Sequence, residues 1–418
     1  MTGLCAQSIL IIATLDTKGV EVIYLKKLIE ESRHPCLVMD TGILNPPSIQ
    51  PDISRQDIAE AAGTTIEEII RAKDKGRAIH LMGEGSARVV ASLYDEGRIE
   101  GIIGLGGAQG TDIGTRAMRV LPFGFPKLMV STVASGLAQF GTFVGTKDLT
   151  IMHSVVDILG LNAFLRSILA NAAGSIVGMV EKAKKVEKSD KIQIGMTIYG
   201  TTTLGSMKAK TYLESKGYEI VAFHPNGTGG RAMEEMIGAG LFHGVLDMTT
   251  HEIMDELTGG GHRAGPNRLE AAGRLGIPQV VAPGSIDFII GGAEERLPQK
   301  WRRRRYVVHN SFITLVRANV KEMKKAGEIM ATKLNRAKGP TVVMIPLRGF
   351  SYHNRQGDML YDEEGNLAFV RTLKKSLKGV EVREIDAHIN DEEFAIPAAQ
   401  TLEKMLLRPQ KSSDLGSK

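Results

Sequence analysis

The 418 residues, 43% hydrophobic and 24% charged, suit two or three globular domains with substantial cores. A formal charge of +5 is small for this length, which argues against nucleic acid as the partner and leaves room for an anionic small molecule. Two cysteines, Cys5 and Cys36, lack CxxC spacing and imply reduced structural thiols in a cytoplasmic protein, while the apolar run at 8–13 is too short for a membrane span.

In chain order, 8–13 (SILIIA) is a continuous apolar run, as expected of a strand buried on both faces of a parallel sheet. A polar turn occupies 14–19, and Val22, Leu25, Leu28 and Ile29 then recur at helical spacing. The next strand, 36–39, ends at Asp40-Thr41-Gly42, where a βαβ unit often binds a ribose hydroxyl. A loop is expected over 45–52 and a short helix over 66–72. A strand or buried segment over 78–82 then leads into Gly83-Glu84-Gly85-Ser86.

The chain is organised around 101–115 (GIIGLGGAQGTDIGT). Ile102 and Ile103 lead into Gly104, Gly106, Gly107 and Gly110, and a helical pattern starts near Thr111. Such glycines permit positive φ and close approach of a ligand, and first-turn helix amides attract phosphate or carboxylate. The spacing is neither G-x-G-x-x-G nor a Walker A loop. It implies a generic phosphate cradle, although a tight strand-to-helix turn uses the same glycines.

A strand at 127–131 ends in Thr132-Val133-Ala134-Ser135-Gly136, another strand lies near 149–152, and 159–180 reads as a long helix. The charged stretch 181–191 is the best boundary in the chain. It divides an N-terminal nucleotide-binding α/β domain (1–187) from a C-terminal α/β domain (191–408), with a flexible tail at 409–418.

The second half restarts the pattern, with a strand at 192–197, a polar glycine turn at 199–206, a helical face from Ala209 and a strand at 219–223. A shift of roughly 180 residues lays Thr14 on Thr197 and Glu31-Ser32 on Glu214-Ser215, which suggests a duplicated unit. His224 to Gly230 opens another helix, and further strands are expected at 244–248, 278–282 and 341–345. A glycine-rich loop spans 259–266 and a long amphipathic helix 317–334. The basic run 302–305 reads as a solvated face or a phosphate grip. The whole predicts an α/β fold of two Rossmann-like subdomains with mainly parallel sheets.

Polar residues gather after the strand ends, where parallel sheets bind ligands. In the first half these are 14–18, Asp40, Thr41, 83–86, 106–111 and 131–135, a set that can hold a nucleotide. Gly106, Gly107, Ala108, Gln109, Gly110 and Thr111 would take phosphates. Lys18 would offer charge, Asp40 the ribose contact, and Asp16 or Asp148 a magnesium-bound water. A helix cap is the competing reading of Asp16.

The second half collects His224, Asn226, Thr228, Thr249, Thr250, Glu252, Ser285, Asp287, Arg348, Ser351 and His353. The catalytic candidates are Glu252, Asp287 and His224 as proton carriers and Arg348 as the grip on an acidic substrate. A hydrogen-bonded rim or core histidine is the plainer reading of His224 and His309. His251-Glu252 is not HExxH, because position 255 is Asp, and neighbours on a strand would face opposite ways, so no metal site is expected.

Several motifs together resemble the amino-terminal inhibitory domain of the tomato mosaic virus resistance protein and its bacterial and fungal relatives. They are ATLDTKG (13–19), GLGGAQGT (104–111), STVASG (131–136), HPNGTGGRAMEEMI (224–237), AGPNRLEAAGRLGIPQVVAPGSIDF (264–288) and IPLRGFSYHNRQG (345–357). The resemblance covers nearly the whole chain, from Ile9 to about Leu407. It implies a homodimer of two Rossmann-like subdomains, with ATP and magnesium on the first. ATP contacts are implied at Asp16, Thr17 and Lys18, at the 106–111 loop, and at Asp40 and Thr41. The plant member blocks a viral replication protein, an activity that fold does not transfer. This sequence ends where the resistance-type domain ends, so a stand-alone regulatory or slowly hydrolytic member is expected. A metabolic enzyme acting on a small anionic substrate in the second half, or between the halves, is the alternative. At position 251 the family pattern has a small residue and this chain has His.

Overall fold

A computed structural model describes residues 7–135, 140–184 and 189–407. The chain divides into two compact units, Met1–Lys188 and Ser189–Lys418. Cys5, Gly136 and the tail at 409–418 lie outside the described residues.

In the first unit the elements run β1 (Ser8–Ala13), α1 (Leu15–Glu31), β2 (Cys36–Asp40), α2 (Arg55–Ala61), α3 (Ile66–Arg71) and α4 (Lys75–Asp95). They continue with β3 (Ile99–Gly106), α5 (Ala108–Met118), β4 (Lys127–Ser131), α6 (Phe140–Val144), β5 (Thr150–His153) and α7 (Ala163–Lys182). The sheet is parallel throughout, in the order β2-β1-β3-β4-β5. All six residues of β1 are buried because alternate side chains serve two cores. Ile9 and Ile11 pack with α1 and α7, Leu10 and Ile12 with α4 and α5. Helix α7 alone among the described helices is long and apolar enough to cross a membrane, yet Leu165, Leu169, Ala172 and Ile176 belong to the first of these cores. Burial pushes the Cys36 thiol up to about 12, as suits a structural cysteine.

The second unit runs β6 (Gln193–Thr197), α8 (Thr203–Ser215), β7 (Glu219–Phe223), α9 (Thr228–Gly238), β8 (Gly244–Thr249), α10 (Glu252–Thr258) and α11 (Ala271–Leu275). After β9 (Gln279–Gly284) come β10 (Phe288–Gly291), α12 (Gln299–Arg302), β11 (Tyr306–Asn310), β12 (Ile313–Arg317) and α13 (Val320–Leu334). The unit closes with β13 (Thr341–Pro346), α14 (Glu363–Ser376), β14 (Glu381–Ile385) and α15 (Glu392–Leu406). Its main sheet is parallel, in the order β14-β13-β9-β8-β6-β7. Counted from each unit's first strand, both sheets begin 2-1-3-4-5, so each reverses direction between its first and third strands. The residues matched by the internal shift fall at equivalent places, Thr14 and Thr197 at the ends of β1 and β6, Glu31 and Glu214 in the last turns of α1 and α8.

Three local expectations are corrected. Residues 78–86 are neither strand nor turn but the interior of α4, which starts where the Asp74 side chain accepts the Arg77 N–H. Gly85 is there for packing, since a Cβ would sit 2.0 Å from the Ile58 carbonyl oxygen of the crossing α2. By the same logic the turn expected at 199–206 is a 3-10 turn over Gly200–Thr202 followed by α8, where a Cβ on Gly205 would meet the Ile389 carbonyl oxygen at 2.2 Å. Arg317 ends a strand rather than opening a helix. The antiparallel sheet β10-β12-β11 was not foreseen, and α13 begins at a capping box of Asn319 and Glu322. The basic run beside that sheet is partly tied down, with Arg304 forked onto Glu322 at 2.7 and 3.0 Å.

Candidate functional site

In open parallel sheets, the crevice beyond the strand ends at the point of reversal is the natural ligand site. In the first unit that point lies between β1 and β3, where Thr14 to Lys18 face the 106–111 loop. Helix α5 begins at Ala108 with Gly107 as its N-cap and no capping side chain. Among the described residues, the N–H groups of Gly107, Ala108, Gln109 and Gly110 have no hydrogen-bond partner, and the first bonded amide is Thr111, on the Gly107 carbonyl at 2.8 Å. These are the unpaired, partially positive donors that an anion needs.

None of the glycines at 104, 106, 107 and 110 has positive φ. Their role is close approach. A Cβ on Gly106 would meet the Gly110 Cα at 2.8 Å, so Gly106 serves the tight strand-to-helix turn. A Cβ on Gly107 would meet only the Thr132 hydroxyl, at 3.6 Å. The chain itself does not require glycine at 107.

The other expected nucleotide contacts are bonded within the chain. Asp40, fully buried, accepts from the Leu15 and Gly42 N–H groups at 2.9 and 2.8 Å, which caps α1 and shapes the β2 turn. Its second oxygen has no partner, and burial pushes its carboxyl upward. Asp16 accepts from Leu44 and Asn45, Lys18 donates to the Ile158 carbonyl, and Thr17 donates to the Thr14 carbonyl. The Thr41 N–H bonds the Ala13 carbonyl at 2.9 Å. The Thr111 hydroxyl shares a 2.7 Å bond with that of Ser131. Asp148 is ion-paired to Lys127 at 2.9 Å, at the amino end of β4, so it stands across the sheet from the glycine loop and cannot serve a metal there.

The second unit repeats the crevice between β6 and β8, and here it is lined by side chains. Tyr199 follows β6, His224 follows β7 and His251 follows β8, while the β11–β12 hairpin brings His309, Ile313 and Leu315. A pocket of about 200 Å3 lies among Tyr199, Thr201, His224, Asn226, His262 and His309. Tyr199 packs on His224 and His251 with ring centroids 5.0 and 4.5 Å apart. Beneath it, His251 Nε2 lies 3.3 Å from His262 Nδ1, and Asp255 accepts from the N–H groups of His262 and Ile290 at 2.7 and 2.9 Å. His251 and Asp255 escaped the sequence reading because only HExxH was sought on a presumed strand. Residue 251 is the N-cap of α10, so the His251-x-x-x-Asp255 spacing places both on one helical face.

Of the four catalytic candidates, His224 alone lines this pocket. Glu252 is fully buried, its oxygens taken by the Gly227 and Gly230 N–H groups (2.7 and 3.3 Å) and by Arg268 Nε (2.6 Å). Arg268 also forks onto Asp247 at 2.6 and 2.9 Å. Burial works against the Arg268 charge, but Asp247 and Glu252 more than offset it. Arg348 is surface-exposed and forked onto Asp386 at 2.9 and 2.8 Å. Asp287, fully buried, accepts from the Ser351 hydroxyl at 2.9 Å beside Arg317, and one of its oxygens has no partner.

Burial pushes the Asp287 carboxyl up to about 6, against the pull of Arg317 and Ser351. An unfolded aspartate releases its proton near 3.8, so between there and about 6 the folded chain holds a proton that the unfolded one has lost. Stability contributed by this group therefore falls as pH rises through that window. Asp287→Asn is expected to gain on the wild type by about 2–3 kcal/mol between pH 4 and pH 7, whatever its constant offset. Urea melts at both pH values check this, and parallel curves would contradict it.

The N-terminal domain model of the "Uncharacterised protein family (UPF0261)" matches residues 7–185, and its C-terminal domain model matches 191–406. A UPF0261 protein of Clostridium tetani is 44% identical over 402 residues, covering 96% of this chain and 99% of that protein. One from Brucella suis is 36% identical and covers 95% of each. The ToMV resistance protein Tm-1(GCR237) of Solanum lycopersicum is 37% identical over 329 residues, which is 77% of this chain and 43% of the tomato protein. Among solved structures, the UDP-N-acetylglucosamine 2-epimerase of Rickettsia bellii aligns over 96% of both chains at 11% identity, with a TM-score of 0.23.

Proposed function

We propose that this chain, which belongs to the UPF0261 family, binds a nucleotide through its phosphates at the mouth of the first sheet, with ATP, alone or with Mg2+, as the ligand. One observation carries the reading: the unpaired amides of Gly107 to Gly110, at the point where the sheet order reverses. The bare Gly107, which no neighbour requires, favours a ligand's close approach. The internal bonds of Asp16, Lys18 and Asp40 give those residues the task of holding the crevice in shape.

In this reading the protein is cytoplasmic, homodimeric, and regulatory or slowly hydrolytic. A tomato relative is named for resistance to a virus, which accords with action through a macromolecular partner. Calorimetric titration of the full chain with ATP, with and without Mg2+, tests the proposal. One site per chain is expected, and no binding heat in either condition would overturn it.

A second reading has one specific observation in its favour, the histidine-lined pocket at the mouth of the second sheet. Its volume of about 200 Å3 suits a small substrate and not a nucleotide. With Arg348 tied to Asp386, recognition of a small anion there falls to His224, His309 and Asn226.

A further inference from the structure

Beneath the pocket of the second unit, one ring nitrogen is claimed twice. His262 Nδ1 lies 3.3 Å from His251 Nε2 and 3.2 Å from the Tyr199 hydroxyl. An imidazole nitrogen offers one in-plane position, either a lone pair or an N–H. Whichever tautomer His262 adopts, it cannot both accept from one neighbour and satisfy the other. His251 is fully buried, and its remaining nitrogen, Nδ1, has no hydrogen-bond partner among the described residues. The contested Nδ1 of His262, 3.3 Å from the buried Nε2 of His251, calls for an explanation, and the far-side Nδ1 of His251 takes no part in it.

We propose that His251, Asp255 and His262 form a site for a divalent first-row transition metal, of which zinc is the type. One ligand atom from each of the three lies within 4.8 Å of the others. The 3.3 Å separation of the two ring nitrogens matches the edge of a tetrahedron with Zn–N bonds of about 2.0–2.1 Å, which is about 3.3–3.4 Å. Octahedral neighbours at the same bond length would stand closer, about 2.9–3.0 Å apart, so the spacing favours four-coordination.

The surroundings behave as a supporting layer. The Asp255 carboxylate is oriented by the N–H groups of Ile290, on β10, and of His262 itself. That fixes the carboxylate and the loop carrying the third ligand in one step. Two imidazoles and one carboxylate leave a fourth position open, and His262 borders the pocket that would supply it with water or substrate. The proposal gives the second reading above its cofactor and is independent of nucleotide binding in the first unit.

The test uses the full chain without an affinity tag, stripped with a chelator and titrated with Co2+ or Zn2+. The expected result is one equivalent bound per chain, with visible d–d absorption from Co2+ and a thermal midpoint that rises on metal addition. His262→Gln keeps a polar side chain and is expected to weaken binding at least 100-fold and to abolish the thermal shift. Gly107→Val is expected to bind metal as the wild type does. Stoichiometry well below one equivalent in the wild type would overturn the proposal, whatever the variants do. So would undiminished binding in His262→Gln, which would place the ion elsewhere.

Discussion

Replacing Arg268 by methionine is expected to remove about 3–5 kcal/mol of stability from the second unit, a large part of what a typical domain possesses. The guanidinium is 1% exposed and meets Asp247, Glu252 and, at 3.3 Å, Glu234. Without it, two fully buried carboxylates face one another with no cation. They must take up protons or admit water, and either disrupts the packing around β8. The loss would spread to the pocket, since Glu252 also holds the Gly227 and Gly230 amides at the start of α9, next to the loop that carries His224. Lysine is expected to rescue less than half, because a single ammonium cannot bond Glu252 and fork onto Asp247 at once. The chain has a single tryptophan, Trp301, buried in the second unit, so its fluorescence in urea reports on this unit directly. An unfolding free energy for Arg268→Met within about 1 kcal/mol of the wild type would show that the cluster is not structural.

Gly107→Val is expected to weaken ATP binding at least tenfold while leaving the fold almost untouched. The backbone at 107 is extended (φ −79°, ψ −158°), a conformation that valine adopts readily. Its Cβ would have ordinary clearance from Thr132, so the cost to stability is limited to a poorer N-cap, about 1 kcal/mol or less. What changes is the surface that a phosphate must approach. Calorimetric titration of the variant beside the wild type reads the effect, and equal affinities would remove the glycine loop from the site. By contrast, Gly106→Val would put a Cβ 2.8 Å from the Gly110 Cα and damage the turn itself, so it cannot separate binding from folding.

The layered α/β architecture was legible because the strands are uninterrupted apolar runs. SILIIA at 8–13 has no polar residue on either face beyond its first serine, and only a strand covered on both sides reads that way. The glycines were less legible, since composition does not separate a turn from a close crossing. Gly85 and Gly205 look like turn residues, and each is a helix position pressed against a carbonyl of a distant element. The antiparallel sheet β10-β12-β11 was missed because the helix was begun at Arg317, the last residue of β12, two residues ahead of the Asn319 cap that marks where α13 starts.

Sites divided along similar lines. The bare amides after β3 were legible because a glycine run between a strand and a helix is a local sequence feature. Glu252 and Arg348 were singled out for their chemistry, yet their partners, Arg268 and Asp386, lie 16 and 38 residues away, and only the fold shows that those charges are already matched. His262 owes its place to the loop after α10, which no periodicity reveals. The spacing of His251 and Asp255 was visible and could have been read as one turn of a helix.

Hydrogen–deuterium exchange over 106–111, followed by mass spectrometry in the presence and absence of ATP and Mg2+, examines the central claim most directly. Unliganded, the amides of Gly107 to Gly110 should exchange at nearly unprotected rates, and saturating nucleotide should slow them tenfold or more. Rates at these amides that do not change at saturating nucleotide would contradict the account.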